Sequence, residues 1–158
     1  GTDYLPLLMK YDNLVIGRTF SKVHSLAGLR VGYAFVPAWL VPFYLRAGTP
    51  FTVNSVSAAA AAAALSDREH ASAYIRQVLQ WRPRFAAEVK YPVLPSDANF
   101  VMVDVSPHKS DEIVGKLAEN GVLVRSCRSF AGLPDHYIRV SVGEDWENEM
   151  FIREINSL

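Results

Sequence analysis

The sequence predicts an α/β protein, and three observations carry that reading. Short apolar runs of strand character are interleaved with longer stretches of helical spacing. After residue 92 the order is strand, helix, strand, strand, helix, which packs as an α/β or α+β layer. Half of the 158 residues are hydrophobic and one-fifth are charged, enough core for one ordinary globular domain.

Taken in order, residues 5–10 read as a short helix that stops before Asp12-Asn13. The run Asn13-Leu-Val-Ile-Gly17 reads as a buried strand, and the apolar run Val31 to Val36 as another strand, ending at Pro37. Ala38 to Leu45 is apolar at helical spacing until Gly48-Thr-Pro50 breaks it. A helix starts at Asn54 or Ser55, where an amide or hydroxyl can cap it. Alanine, the best helix former, carries it through Ala58 to Ala64. Asp67-Arg-Glu-His70 continues this helix or marks a bend. Ala71 to Val89 is a second helical stretch, which Pro83 should kink or divide because it lacks a backbone donor. Pro95 to Asn99 turns into a strand over 100–105. Ser110 or Asp111 caps a helix to about Asn120, and Gly121 ends it. Residues 122–125 read as strand, 129–134 as loop, 137–142 as a strand with clean alternation, and 144–157 as a closing helix.

Composition excludes several classes of partner. Basic and acidic residues balance at 16 each, so nothing points to a nucleic acid or an anionic membrane. The single Cys127 excludes an internal disulfide and fits a reducing, cytoplasmic compartment. The first residues show no secretory signal, and no segment is long and apolar enough to span a bilayer. His24, His70, His108 and His136 are scattered without metal-ligand spacing, so no metal is expected. No Walker or Rossmann glycine pattern occurs, and no Ser-His-Asp arrangement can be argued.

The chemistry concentrates in Arg18-Thr-Phe-Ser-Lys-Val-His-Ser-Leu-Ala-Gly-Leu-Arg-Val-Gly-Tyr33. Two hydroxyls (Thr19, Ser21), one lysine (Lys22) and an arginine eight residues on (Arg30) lie between the two expected strands. A lysine at the end of a buried strand is costly unless its amine is neutral or covalently used, and such an amine forms Schiff bases. An arginine with neutral hydroxyl donors suits a phosphate. An aldehyde for the lysine and a phosphate for the arginine together describe pyridoxal phosphate (PLP). Spacing alone equally describes a solvated loop between two strands.

Thr19-Phe-Ser-Lys22 followed by Leu26-Ala-Gly-Leu-Arg-Val-Gly-Tyr33 resembles the cofactor-lysine motif of the class I/II aminotransferases, nearest the histidinol-phosphate aminotransferase branch. The resemblance implies fold type I of the PLP-dependent transferases: a partial large-domain sheet plus a C-terminal small α/β domain. It implies that Lys22 forms the Schiff base, that Arg30 holds the cofactor phosphate, and that Thr19 and Ser21 assist. His24 and Ser25 stand where an aromatic residue and glycine are common. On this resemblance, residues 1–50 belong to the cofactor-binding large domain, 51–91 form an interdomain helical segment, and 92–158 form the small domain. Family members are about twice this length, so the sequence reads as a C-terminal fragment, with the strands near Val15 and Ala34 expected to expose edges.

Two further arginines take roles from the resemblance. Arg139, in Tyr137-Ile-Arg-Val-Ser-Val-Gly143, matches the arginine that binds a substrate carboxylate through two parallel hydrogen bonds. Read from the residues alone, it is as well explained as the solvated side of an alternating strand. Arg125 matches an arginine near the distal phosphate of histidinol-phosphate substrates. Arg128 and Asn99 have weaker claims. Asn54 either faces the substrate or caps a helix. The implied reaction moves an amino group between an amino acid or amino-alcohol phosphate, histidinol-phosphate-like or aromatic, and a 2-oxo acid, in a homodimer. A threonine-phosphate decarboxylase is the alternative, and so is a fragment without catalytic activity on its own.

Overall fold

Strands form in this chain where a ladder partner exists, which is not everywhere the sequence is apolar. The computed structural model describes residues 3–158, which divide between Ser72 and Ala73 into two units.

In the N-terminal unit, a 3-10 helix at Leu5–Met9 precedes β1 (Ile16–Thr19) and β2 (Gly32–Phe35). The two strands pair antiparallel, with Ile16 opposite Phe35 and Thr19 opposite Gly32. The first strand is thus displaced toward the C-terminus from the expected Asn13–Gly17, because the partners of Arg18 and Thr19 lie across the ribbon. The expectation that the first strand is buried is overturned as well: of the eight residues in the two strands only Ile16 is buried. A two-stranded ribbon without a layer across each face cannot bury both. Gly32 permits the close approach of the strands, since a Cβ there would lie 2.7 Å from the Arg18 carbonyl oxygen. The short helix α1 (Val41–Ala47) and the alanine-rich α2 (Ser55–Ser66) follow. Asn54 caps α2: its side-chain oxygen accepts the Ser57 N–H at 2.8 Å.

The helix α3 (Arg68–Glu88) is continuous, with Pro83 inside it, so the proline does not divide it. The C-terminal unit holds a four-stranded antiparallel sheet made of β3 (Val93–Leu94), β4 (Phe100–Asp104), β5 (Arg125–Ser126) and β6 (Tyr137–Ser141), in the order β3-β4-β6-β5. Two helices complete it, α4 (Ser110–Glu119) and α5 (Asp145–Ser157). Alternation turns Val101, Val103, Ile138 and Val140 to one face, where they are buried. Each helix meets that core with a pair one turn apart: Trp81 and Phe85 from α3, Ile113 and Leu117 from α4, Phe151 and Ile155 from α5. The Trp81 indole N–H donates to Asp145 at 2.6 Å. A reciprocal pair of bonds between Glu144 and Glu147 starts α5.

Two local expectations fail here. The apolar run 122–125 is not a strand: after Gly121, at φ +82°, the Val122 N–H bonds back to Leu117, and Leu123 is 86% exposed. Only Arg125 and Ser126 pair with β6. Neither Ser110 nor Asp111 caps α4. The buried Ser110 hydroxyl shares a hydrogen bond with Ser126, and Asp111 accepts from Arg128 at 2.7 Å.

Candidate active site

In the N-terminal unit, the loop from β1 to β2 is tied down at both ends. The Phe20 ring is buried against His24 and Tyr33, its N–H donates to Val31 at 3.3 Å, and its carbonyl accepts from Leu26 at 3.0 Å. Phe20 and Val31 pack with Leu26 and Leu29 against Ala61 and Ala64 of α2, whose small side chains leave room for the loop. The buried Ser57 hydroxyl donates to the Leu29 carbonyl at 2.9 Å. Lys22 sits in the turn this creates, with its carbonyl accepting the Ser25 N–H at 2.9 Å. Thr19 Oγ1 accepts the Ser21 N–H at 3.1 Å, so the two hydroxyl residues are neighbours beside Lys22.

Lys22 itself is exposed, three residues past the strand. The buried ammonium expected from the sequence is therefore not observed. Two non-glycine residues of this loop adopt the left-handed region, Ser25 at φ +56° and Arg30 at φ +51°, a conformation that costs such residues energy. Ser25 replaces the glycine common at this position, and its hydroxyl lies 3.3 Å from His70 Nε2. Arg30 closes back on the loop, Nη1 donating to the Ala27 carbonyl at 3.0 Å.

The donor chemistry of this loop suits the phosphate and aldehyde of PLP. Between Asp12 and Asp67 the sequence holds no Asp or Glu, while Arg18, Lys22, Arg30 and Arg46 fall inside that stretch. Among the described residues no ion pair engages Lys22 or Arg30. A phosphate placed on Arg30, Thr19 and Ser21 meets no competing carboxylate from the loop.

In the C-terminal unit, Arg139 lies on the central strand β6, with Met102 of β4 opposite on one side and Arg125 of β5 opposite on the other. The two guanidinium residues are thus direct cross-strand neighbours on the face away from the core. Neither has a carboxylate partner among the described residues, and the buried Arg139 Nε has no hydrogen-bond acceptor at all. Like charges placed opposite one another weaken a sheet, and the donors of this pair are available to an anion. Arg139 stacks 5.1 Å from the Phe100 ring centre, and Arg125 lies 5.2 Å from that of Phe130. Burial pushes the adjacent Cys127 thiol up; Arg139 and Arg125 pull it back only in part. No thiolate nucleophile is indicated.

The remaining candidates each have partners within the chain. Arg128 is engaged by Asp111. The Asn99 side-chain amide donates to the Tyr74 hydroxyl at 2.8 Å, and the Asn99 backbone carbonyl accepts from the Val142 N–H, so the residue braces β4. Asn54 is engaged as a helix cap. The ring platforms Phe100 and Phe130 were not singled out from the sequence. Cross-strand register is needed to see them, and no single run of residues encodes it.

Comparison with known proteins gives one family and close relatives. The model of the family "Aminotransferase class I and II" matches residues 1–155. A histidinol-phosphate aminotransferase of Methanosphaerula palustris is 62% identical over 157 residues, 99% of this chain and 45% of that protein. The chain therefore spans less than half the length of the curated relatives it matches. The crystal structure of histidinol-phosphate aminotransferase from Sinorhizobium meliloti in complex with pyridoxal-5'-phosphate superposes with a TM-score of 0.77 at 29% identity, over 92% of this chain and 41% of that one. An L-threonine-O-3-phosphate decarboxylase from Porphyromonas gingivalis (TM-score 0.78, 23% identity, 92% of this chain and 46% of that one) shares the fold.

Proposed function

The chain belongs to the class I and II aminotransferases, and we propose that it carries part of the active site of a PLP-dependent enzyme moving an amino group between a histidinol-phosphate-like amino-alcohol phosphate and a 2-oxo acid. The observation that carries the substrate class is the pair Arg125 and Arg139, adjacent on paired strands without a carboxylate partner. Planar guanidinium groups match phosphate and carboxylate oxygens with two parallel N–H donors. Both co-substrates of such a transfer are anionic at one end, so one pair can serve both. Identity of 62% to a histidinol-phosphate aminotransferase supports this choice over the decarboxylase.

Lys22, Thr19, Ser21 and Arg30 would hold the cofactor: the amine toward its aldehyde, the guanidinium and the two hydroxyls toward its phosphate. When bound, PLP supplies an electrophilic carbon for amines and a ring that accepts the electron pair left at the substrate α-carbon. The Lys22 amine, once free, serves as general base and acid for the α-proton. Arg139 and Arg125 fix the anionic end of the substrate and so orient its amine. The homodimer the family implies is supported by the apolar side chains that α1 leaves exposed, Phe43, Tyr44 and Leu45. A cytoplasmic setting is supported by the one cysteine, buried and unpaired, and no described helix is long and apolar enough to cross a membrane.

The test is mass spectrometry after adding PLP and borohydride. An adduct confined to Lys22 and lost in Lys22→Ala is expected. A scatter of adducts over Lys10, Lys116 and other exposed lysines would overturn the assignment of Lys22.

A further inference from the structure

The two arginines share a feature that the proposed substrate site does not itself require. Elsewhere in the C-terminal unit, Arg82, Arg84, Arg128 and Arg153 each lie within 3.8 Å of a carboxylate oxygen, with Arg84 also stacked on Trp81, while Arg76 has no ion pair among the described residues. Arg125 and Arg139 instead face aromatic rings, Phe130 and Phe100. The two rings reach them by different routes. Phe100 lies on β4 opposite Ser141, diagonal to Arg139 on the same face of the sheet. Phe130 stands in the loop after β5, in a turn closed by its N–H donating to the Cys127 carbonyl at 3.0 Å.

A ring face attracts a guanidinium through its quadrupole, within about 6 Å of the centroid. It takes up no N–H donor, because the donors lie in the guanidinium plane and point outward. A carboxylate would hold the side chain equally well but would occupy the fork that an anionic substrate needs. We propose that Phe100 and Phe130 are positioning residues: each ring holds one guanidinium of the opposed pair in place with its donors free for the anionic end of the substrate. This rests on the reading of Arg125 and Arg139 as the anion site. It also accounts for the loop 127–133, which otherwise has no part in the proposed site.

The test is titration of the full chain with inorganic phosphate. It is followed by calorimetry and by the Arg Nε–H resonances in 15N NMR, which sense both the ring above and the anion. The parent for this test carries Arg30→Gln, because Arg30 is itself proposed to hold a phosphate; it should bind phosphate, and adding Arg125→Gln with Arg139→Gln should abolish binding. Phe130→Leu and Phe100→Leu should each weaken it about two- to thirtyfold, with loss of the ring-shifted Nε–H resonance, and Phe130→Tyr and Phe100→Tyr should restore both. Phe130 is partly exposed, so Phe130→Leu reports even if Phe100→Leu fails to fold. Leucine variants that bind phosphate like the parent would overturn the role of the rings while leaving the arginine site intact. In the Arg30→Gln background, phosphate binding that is absent, or that survives both further glutamine substitutions, would overturn the arginine site and the role of the rings with it.

Discussion

Gly32→Ala should unlock the lysine loop, and Gly28→Ala should not. Both glycines flank Arg30, yet their surroundings differ. A Cβ on Gly28 meets no heavy atom within 4 Å; one on Gly32 would sit 2.7 Å from the Arg18 carbonyl oxygen and 3.6 Å from the Thr19 Cα. Restoring ordinary contact at 3.4 Å means separating β1 from β2 by about 0.7 Å at the pair that holds Thr19. Rigid backbone is what must move, so the cost falls in the overpacking range of about 1–3 kcal/mol. If that cost appears as local opening, amide protection at Phe20, whose N–H bonds to Val31, drops about five- to 150-fold. Hydrogen exchange read by NMR measures this directly, and the yield of the borohydride-reduced Lys22 adduct should fall in parallel. Equal protection in the two alanine variants would refute the reasoning, because steric contact across the ribbon would then not be what holds the loop.

Asn54→Ala should destabilise α2 by about 1 kcal/mol through loss of the cap on Ser57. It should be read as faster exchange of the Ser57 amide, and Asn54→Ser should recover it; rescue of exchange without rescue of substrate binding would assign Asn54 a second role. The Asp104 carboxyl is held below the usual carboxylate range, first by the Ser106 N–H at 3.0 Å. Its contribution to stability is therefore present above the ordinary aspartate range and is lost as pH falls through the lowered folded value. Urea unfolding between neutral and acid pH should show this decline flattened in Asp104→Asn; an unchanged acid limb would remove Asp104 as its source.

How much of this was legible in the sequence depended on the range over which each feature is encoded. Arg139 was legible as an outward residue because Ile138 and Val140 flank it and period-two alternation is local. The α2 cap and the break at Gly121 were legible for the same reason: each is fixed within four residues. Its partnership with Arg125 was not, because register between β5 and β6 is set by the intervening loop and by the core beneath. The two-residue β3 is too short to show a period. The run 122–125 misled because Val122 is apolar to complete the core after α4, not to join a ladder. At the lysine loop, residue chemistry suggested the cofactor, but the burial inferred for Lys22 assumed a layered sheet that the described ribbon does not supply.

The opposed arginines also make the fold itself responsive to what is bound. Without an anion, two like charges face each other across β5 and β6 and weaken the pairing. A ligand that engages only the folded arrangement adds stability by mass action, about 2.7 kcal/mol at a hundred times its dissociation constant. The melting temperature and protease resistance of this unit therefore become gauges of occupancy. If the proposed anion site is filled in the cell, the protein would resist unfolding and proteolysis for longer there, with no dedicated regulatory site required.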